Sequence, residues 1–229
     1  MFRFTKHGFW EMVLGTIGLT LIGVGLALIH WGLVLIPFLI WVWLMAFFRD
    51  PQRNIPGQPN DWVSPADGLV SDITEIPHDE LLGGPAIRIG IFLSVFNVHV
   101  NRAPCDAVVL KTIYKKGKFI NALHHNHASS QNESNTILLG DTSGRPIAVV
   151  KQIVGLIARR IICTAAEGTS LTKGQRIGMI KFGSRTELLV SKGLNPTVHV
   201  RTGQKVRGGA DILLTVDRIG SEPSRPVNL

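Results

Sequence analysis

The chain has 229 residues, 45% of them hydrophobic and 17% charged, with a mean hydropathy of +0.23 and a formal net charge of +8. That is too apolar for a disordered tail. Its two cysteines, Cys105 and Cys163, exclude a disulfide framework and have neither zinc-knuckle nor redox spacing, which favours a reducing, cytoplasmic compartment.

Only Arg3, Lys6 and Glu11 are charged before Phe48, so nearly all the positive balance belongs to the rest of the chain. A basic domain suits nucleic acid, an anionic membrane surface or an acidic substrate. Residues 12–29 and 33–48 are uncharged apolar runs on either side of His30, Trp31 and Gly32. As helices they reach about 27 and 24 Å, slightly short of the roughly 30 Å hydrocarbon core of a bilayer. The pair is too long for a secretory signal and lacks its cleavage site, so it reads as a retained anchor, either a helical hairpin or a re-entrant wedge. Arg3 and Lys6 precede it, Arg49 and Arg53 follow it, and the connector has no Lys or Arg. Both ends are therefore expected in the cytoplasm, with the anchor favouring lipid over nucleic acid as partner. A buried core hairpin is the alternative, disfavoured by the unbroken apolar length.

Residues 49–60 (DPQRNIPGQPN and its leading arginine) read as a linker, and 61–229 as one domain. Short β-rich runs are expected at 69–76, 87–95, 107–114, 136–139, 147–154, 160–165, 177–182, 187–190 and 212–216, with a short helical turn near 77–82. The fold class is mainly β: a single sandwich or barrel-like domain on an N-terminal helical membrane hairpin.

Walker A, G-x-G-x-x-G, H-E-x-x-H and G-x-S-x-G signatures are all absent. What remains is a set of polar residues framed by glycine at strand ends. Gly183-Ser184 lies between two expected strands, and a glycine there lets a hydroxyl approach the carbonyl carbon before it. On its own the pair is a common turn dipeptide. Asp67, in Ser64-Pro65-Ala66-Asp67-Gly68, and His99, near a strand end, are the other parts of an activated hydroxyl: His99 as base for Ser184, and Asp67 orienting the ring. Taken singly, Asp67 reads more readily as a turn-capping residue and His99 as a satisfied core or surface histidine.

SPADG, VHVNRAP, GKFINA followed by NESN, QIVGLIARRI and GQRIGMIKFGSRTELLV together resemble the short, bacterial-type phosphatidylserine decarboxylase proenzymes, in the family's order over most of residues 60–218. The resemblance implies self-cleavage between Gly183 and Ser184 into a β chain (1–183) and an α chain (184–229). It also implies a covalent pyruvoyl cofactor made from Ser184, which becomes the Schiff-base site for the substrate amine. His99 matches the family's processing base, Asp67 its orienting acid, and Gly183 supplies the cleavage-site carbonyl. The implied reaction converts phosphatidylserine to phosphatidylethanolamine and CO2 at the cytoplasmic face of a bacterial inner membrane. The implied partners are that lipid, an anionic membrane and the two chains of one precursor; no nucleic acid is expected, and a homo-oligomer is left open.

Lys115, Lys116 and Lys118, with Arg159 and Arg160, are candidates for drawing in an anionic headgroup, or else simply a solvated strand face. Asn132 and Glu133 match the family's Asn-Glu element and are candidates for orienting the headgroup. His124, His125 and His127 lack matching acidic or thiol ligands, so no metal is expected and a polar loop is the default. These histidines depart from the family's usual residues, as do Phe96, where longer relatives carry a second polar residue before the histidine, and Ser191, where proline is usual. Two other readings share these residues: a membrane-tethered hydrolase using Ser184, His99 and Asp67, and a non-catalytic lipoyl-like β module. The module expects a lysine at its hairpin tip, whereas the tip here is Gly-Ser and Lys181 lies before it.

Overall fold

Before the first strand the chain forms two apolar helices, α1 (Phe9–Ile29) and α2 (Leu35–Phe47), joined through a 3-10 turn at Trp31–Val34. The computed structural model describes residues 3–118, 131–155, 160–181 and 183–217. Pro37 falls in the first turn of α2, where a helix has little use for an N–H. At 1.5 Å per residue α1 is about 31 Å long and α2 about 20 Å. The second helix is shorter than the apolar run because the 3-10 turn takes up its start. Trp10, Leu21, Leu28 and Trp31 are each more than two-thirds exposed, an apolar surface that fits lipid rather than water. Among the described residues, Lys6–Ile29 is the one helical stretch long and apolar enough to cross a membrane.

The rest is β structure built around one curled, half-barrel sheet. In chain order its strands are β1 (Asp61–Val63), β2 (Gly68–Asp79), β3 (Gly84–Leu93), β4 (Val100–Arg102), β5 (Ala107–Lys115), β6 (Ser134–Gly140) and β7 (Pro146–Val154), followed by β8 (Arg160–Cys163), β9 (Ser170–Leu171), β10 (Arg176–Lys181), β11 (Ser184–Ser191), β12 (Thr197–Val198), β13 (Lys205–Val206) and β14 (Ile212–Thr215). The large sheet runs β13-β2-β3-β11-β7-β6-β5-β9, and two three-stranded sheets, β1-β14-β12 and β4-β10-β8, complete the fold. Every pairing described between these strands is antiparallel.

Strand β11 sits at the centre of the large sheet, paired with β3 and β7 along its length. Because side chains alternate, Leu188 and Val190 join Ile89, Ile91, Val150, Ile137 and Leu139 in the main core. Towards the start of the strand the same face turns polar, with Thr186 opposite Gln152 and Ser184 opposite Val154. On the other face Arg185, fully buried, donates to Asp72 Oδ1 (2.6 Å), Ser71 Oγ (2.6 Å) and Glu187 Oε1 (2.9 Å).

The expected helical turn at 77–82 is not formed. Strand β2 continues to Asp79, and Asp79 Oδ1 then accepts from the N–H groups of Leu81 and Leu82, so an Asx-type reversal ending at Gly83 (φ +67°) connects β2 to β3. Two antiparallel strands in register are satisfied more cheaply by a tight turn than by a helix between them.

The helices are tied to this framework at one end. Leu44, Phe47 and Phe48 pack with Met179 of β10, and Lys181 of β10 pairs with Glu11 of α1. Residues 51–59 have no regular secondary structure, yet the stretch is strapped down. Buried Asp50 accepts from Arg102 Nη2 (2.9 Å) and from Arg176, while Arg53 pairs with Asp67 at 2.6 Å. Removing one partner of a buried pair leaves the other charge poorly compensated. Asp50→Ala is expected to destabilise the protein by about 3 kcal/mol, seen as a lower urea midpoint in detergent, with Asp50→Asn losing less.

Candidate active site

Strand β10 ends at Lys181 in one sheet and β11 begins at Ser184 in another, so the chain must change direction within a residue or two. Gly183 allows it by adopting φ +64°, the left-handed region that side chains disfavour. In this conformation its N–H donates to His99 Nε2 at 3.1 Å. The turn before β4 holds the histidine: Asn97 Oδ1 accepts from Ser94 N (2.9 Å) and Ser94 Oγ (2.7 Å), and the Asn97 carbonyl faces His99 Nδ1 at 3.0 Å.

These contacts fix the tautomer. A carbonyl at Nδ1 calls for a proton there, and an N–H arriving at Nε2 calls for a lone pair. The His99 ring is buried and lies 4.4 Å from the Phe47 ring at the end of α2. Burial pushes its pKa down to about 4; the Asn97 carbonyl opposes the shift and the positive charge of Arg49 adds to it. His99 is therefore a neutral base at pH 7, with its lone pair aimed at the Gly183-Ser184 segment.

Ser184 is fully buried, and its Oγ has no hydrogen-bond partner among the described residues. Leu93 and Val154 flank it across the strands. Two residues along the same face, Thr186 Oγ1 accepts from Asn101 Nδ2 (3.0 Å). Asn101 Oδ1 accepts from Gln152 Nε2 (2.9 Å), and Gln152 Oε1 from Asn135 Nδ2 (3.1 Å). Native proteins rarely leave a buried hydroxyl unpaired, and here the unpaired hydroxyl belongs to the residue after the glycine whose N–H meets a neutral imidazole.

Gly183, the residue before Ser184, is brought against His99, but Asp67 does not orient the imidazole. Its Oδ2 accepts from Arg53 Nη2 (2.6 Å) and its Oδ1 from Gly208 N (2.8 Å). With both oxygens engaged and His99 Nδ1 already satisfied by Asn97, the expected Asp67–His99 hydrogen bond is not made. Burial raises the Asp67 pKa, opposed by the charge of Arg53 and the Gly208 N–H.

Asn132 is buried, and its Nδ2 donates to the carbonyl of Val154, the residue paired with Ser184. Glu133 joins the same edge through its backbone, donating to Lys118 O and accepting from Val154 N. Lys115 ends β5 and Lys116 follows it on the exposed surface, Lys118 donates to Gln131 at 3.3 Å, and Arg160 begins β8. None of the four has a described contact with Ser184 or His99. Arg159, His124, His125 and His127 lie outside the described residues. Among the described residues no cluster of three or more His, Cys, Asp or Glu could hold a metal ion.

The family pattern of phosphatidylserine decarboxylase matches residues 42–214, from the second helix to the last strand. The chain is 44% identical over 209 residues to the phosphatidylserine decarboxylase proenzyme of Carboxydothermus hydrogenoformans, covering 91% of this chain and 94% of that one. It is 39% identical over 219 residues to the proenzyme of that name from Neisseria meningitidis, covering 93% and 79% respectively. A third, from Cereibacter sphaeroides, is 44% identical over 196 residues, covering 80% and 83%. The chain belongs to the phosphatidylserine decarboxylase family. Family membership makes it a decarboxylase of phospholipid biosynthesis.

Sequence reasoning missed three members of this decarboxylase site: the Asn97 carbonyl, the Phe47 ring and the Arg53 partner of Asp67. Asn97 lay in plain view two residues before His99. Phe47 and Arg53 were hidden by their membership of an anchor and a linker.

Buried neutral His99 links stability to pH. The unfolded chain takes up a proton at about pH 6.5 and the folded one only near 4, so between these values the unfolded state binds more protons and acid favours unfolding. The wild-type protein is expected to lose roughly 3 kcal/mol more than a His99→Gln variant between pH 7 and pH 4, read from denaturant midpoints across that range.

Proposed function

We propose that this decarboxylase activates itself by cutting its own chain between Gly183 and Ser184, and that the new terminus at residue 184 carries a pyruvoyl group. The observation that carries this reading is the fully buried Ser184 hydroxyl, without a partner among the described residues, directly after a left-handed glycine whose amide meets a neutral imidazole. In the proposed sequence Ser184 Oγ attacks the Gly183 carbonyl carbon while its proton passes to His99 Nε2. The C–N bond breaks, giving an ester and a free amine. Loss of the Ser184 α-proton then expels the Gly183 carboxylate and leaves dehydroalanine, which takes up water and releases ammonia.

A pyruvoyl group supplies a ketone able to take up the electron pair left when an amino-acid carboxyl departs as CO2, which no ordinary side chain can do. The surrounding residues suit such a group. Leu93 and Val154 flank position 184, and Val95 lies beside Gly183, so water is kept from the reacting atoms. Burial keeps His99 unprotonated at neutral pH, so its lone pair is available to accept a proton. The partly covered end of the apolar helices, where Phe47 touches His99, supports a substrate reached from the membrane surface, namely phosphatidylserine converted to phosphatidylethanolamine. Arg3, Lys6, Arg49 and Arg53 around the helix ends favour the cytoplasmic face of a bacterial inner membrane. Asn132, anchored on the Val154 carbonyl, would shape the wall opposite Ser184.

Intact masses test this directly. Purified wild-type protein should give two fragments, 1–183 and 184–229, the second blocked at its N-terminus and reactive with a hydrazide. Ser184→Ala should remain one chain of 229 residues without decarboxylase activity, and His99→Ala should slow cleavage at least a hundredfold. An unbroken, fully active wild-type chain would sink the self-processing reading, and an unbroken chain that cleaves esters without releasing CO2 would favour a hydrolase-like use of the same serine.

A further inference from the structure

We infer that Arg49 is the headgroup phosphodiester site, holding the lipid's phosphate beside His99 at the point where the apolar helices meet the β domain. The inference deepens the proposed function, relying on it only for the identity of the lipid. Arg49 comes two residues after Phe47, whose ring touches His99, and its charge is felt at that imidazole. Its Nη1 donates to the Ala46 carbonyl (2.6 Å) and its Nη2 to the Phe96 carbonyl (2.7 Å). Two neutral acceptors hold the guanidinium in place without cancelling its charge, and a guanidinium has five N–H donors. Further donors are therefore left for a ligand.

The neighbouring cations differ in this respect. Arg53 pairs with Asp67, Arg102 and Arg176 with Asp50, and Lys181 with Glu11, whereas Arg49 has no described carboxylate within ion-pair distance. Asp67, the acid whose charge reaches it, is already held by Arg53.

The second observation is where this cation sits. Arg49 forms a backbone bridge with Phe4, and its guanidinium binds the carbonyl of Phe96. Phe4 is 50% exposed and Phe96 70% exposed. A fixed arginine between two exposed phenylalanines, at the end of an apolar helix, has the arrangement expected of the bilayer interface, with rings among the acyl chains and the cation among the phosphates. Arginine's planar fork matches a phosphodiester's two free oxygens. A phosphate held there leaves the amino-acid end of the headgroup to extend towards His99 and Ser184. The carboxylate to be lost is better left without a cation, since an ion pair would stabilise it against departure.

The test uses the full chain in mixed micelles with two short-chain lipids: dihexanoyl phosphatidylserine as substrate, and dihexanoyl phosphatidylglycerol, which has the phosphodiester but neither carboxylate nor amine. For Arg49→Gln we expect normal cleavage masses, a fall in kcat/KM of about tenfold or more carried mainly by KM, and a matching rise in the Kd for phosphatidylglycerol measured by calorimetry. Arg49→Lys, which retains charge without the fork, should lie between. Weaker phosphatidylserine use with unchanged phosphatidylglycerol binding would assign Arg49 to the carboxylate and overturn the inference. So would a loss confined to kcat, or no change in either constant. Should Arg49→Gln fail to accumulate, Arg49→Lys alone decides, an unchanged Kd counting against the inference. Wild-type protein that binds phosphatidylglycerol through Arg49 but does not decarboxylate would fail the proposed function and leave the phosphate site standing.

Discussion

The position of Ser184 follows from the need to start a central strand immediately after leaving a different sheet. Strand β11 is hydrogen-bonded on both sides, so its first residue cannot shift along the strand or rotate without breaking two ladders. Strand β10 approaches from the β4-β10-β8 sheet, and the corner is closed by Gly183 in a left-handed conformation. The result is a peptide held at the head of a rigid strand with a hydroxyl just beyond its carbonyl. An unpaired buried hydroxyl costs about 1–3 kcal/mol. The fold tolerates that cost because the aliphatic stretch of the same strand, Leu188 and Val190 in the main core, is well packed. A left-handed glycine and an unsatisfied polar group at one point, surrounded by ordinary packing, are what the proposed self-cleavage calls for at this bond.

The same corner is where the apolar helices meet the domain. Phe47 and Phe48 close α2 with one ring against His99 and both against the Met179 cluster, and the Glu11–Lys181 pair joins α1 to the end of β10. The helices therefore shape the surroundings of His99 as well as presenting an apolar surface. Phe47 is part of the burial that keeps His99 neutral. The charges follow a division of labour: Asp50, Asp67 and Glu11 neutralise the cations that hold the structure together, and Arg49, bound only to carbonyls, stays positive.

What the sequence could disclose was local. Strands such as β3, β5 and β7 were legible because β-branched and apolar residues recur between glycine and proline breaks, and the apolar helices because charge is absent from them. Ser184, Gly183 and His99 could be picked out from motif and resemblance. The partner of Asp67 could not, because choosing between His99 and Arg53 depends on which way a proline-rich segment folds back, and composition carries no such information. The reversal after Asp79 was misread for a related reason. Residues 77–82 have no strong pattern of their own, and the register between β2 and β3 decides their shape. Arg53 and Asp50 look like linker residues in sequence and prove to be buried or half-buried ties, since ion pairs across 14 and 52 positions leave no periodic trace.

A break between residues 183 and 184 would leave the architecture intact, because the part that follows is woven through the part that precedes. Strand β11 lies between β3 and β7, β13 pairs with β2, and β14 lies between β1 and β12. Arg185, the first residue after the proposed terminus, is fully buried and bound to Asp72 and Ser71 of β2. Cutting the chain gives freedom only to the residues next to the cut, and these are held by the neighbouring ladders and by the buried guanidinium. Separating the pieces would require exposing the main core and breaking the buried Arg185–Asp72 pair, a far larger cost than the chain entropy that two new ends release. A new functional group made at residue 184 would thus keep the position that the strand gave its precursor, with its protons still within the influence of His99.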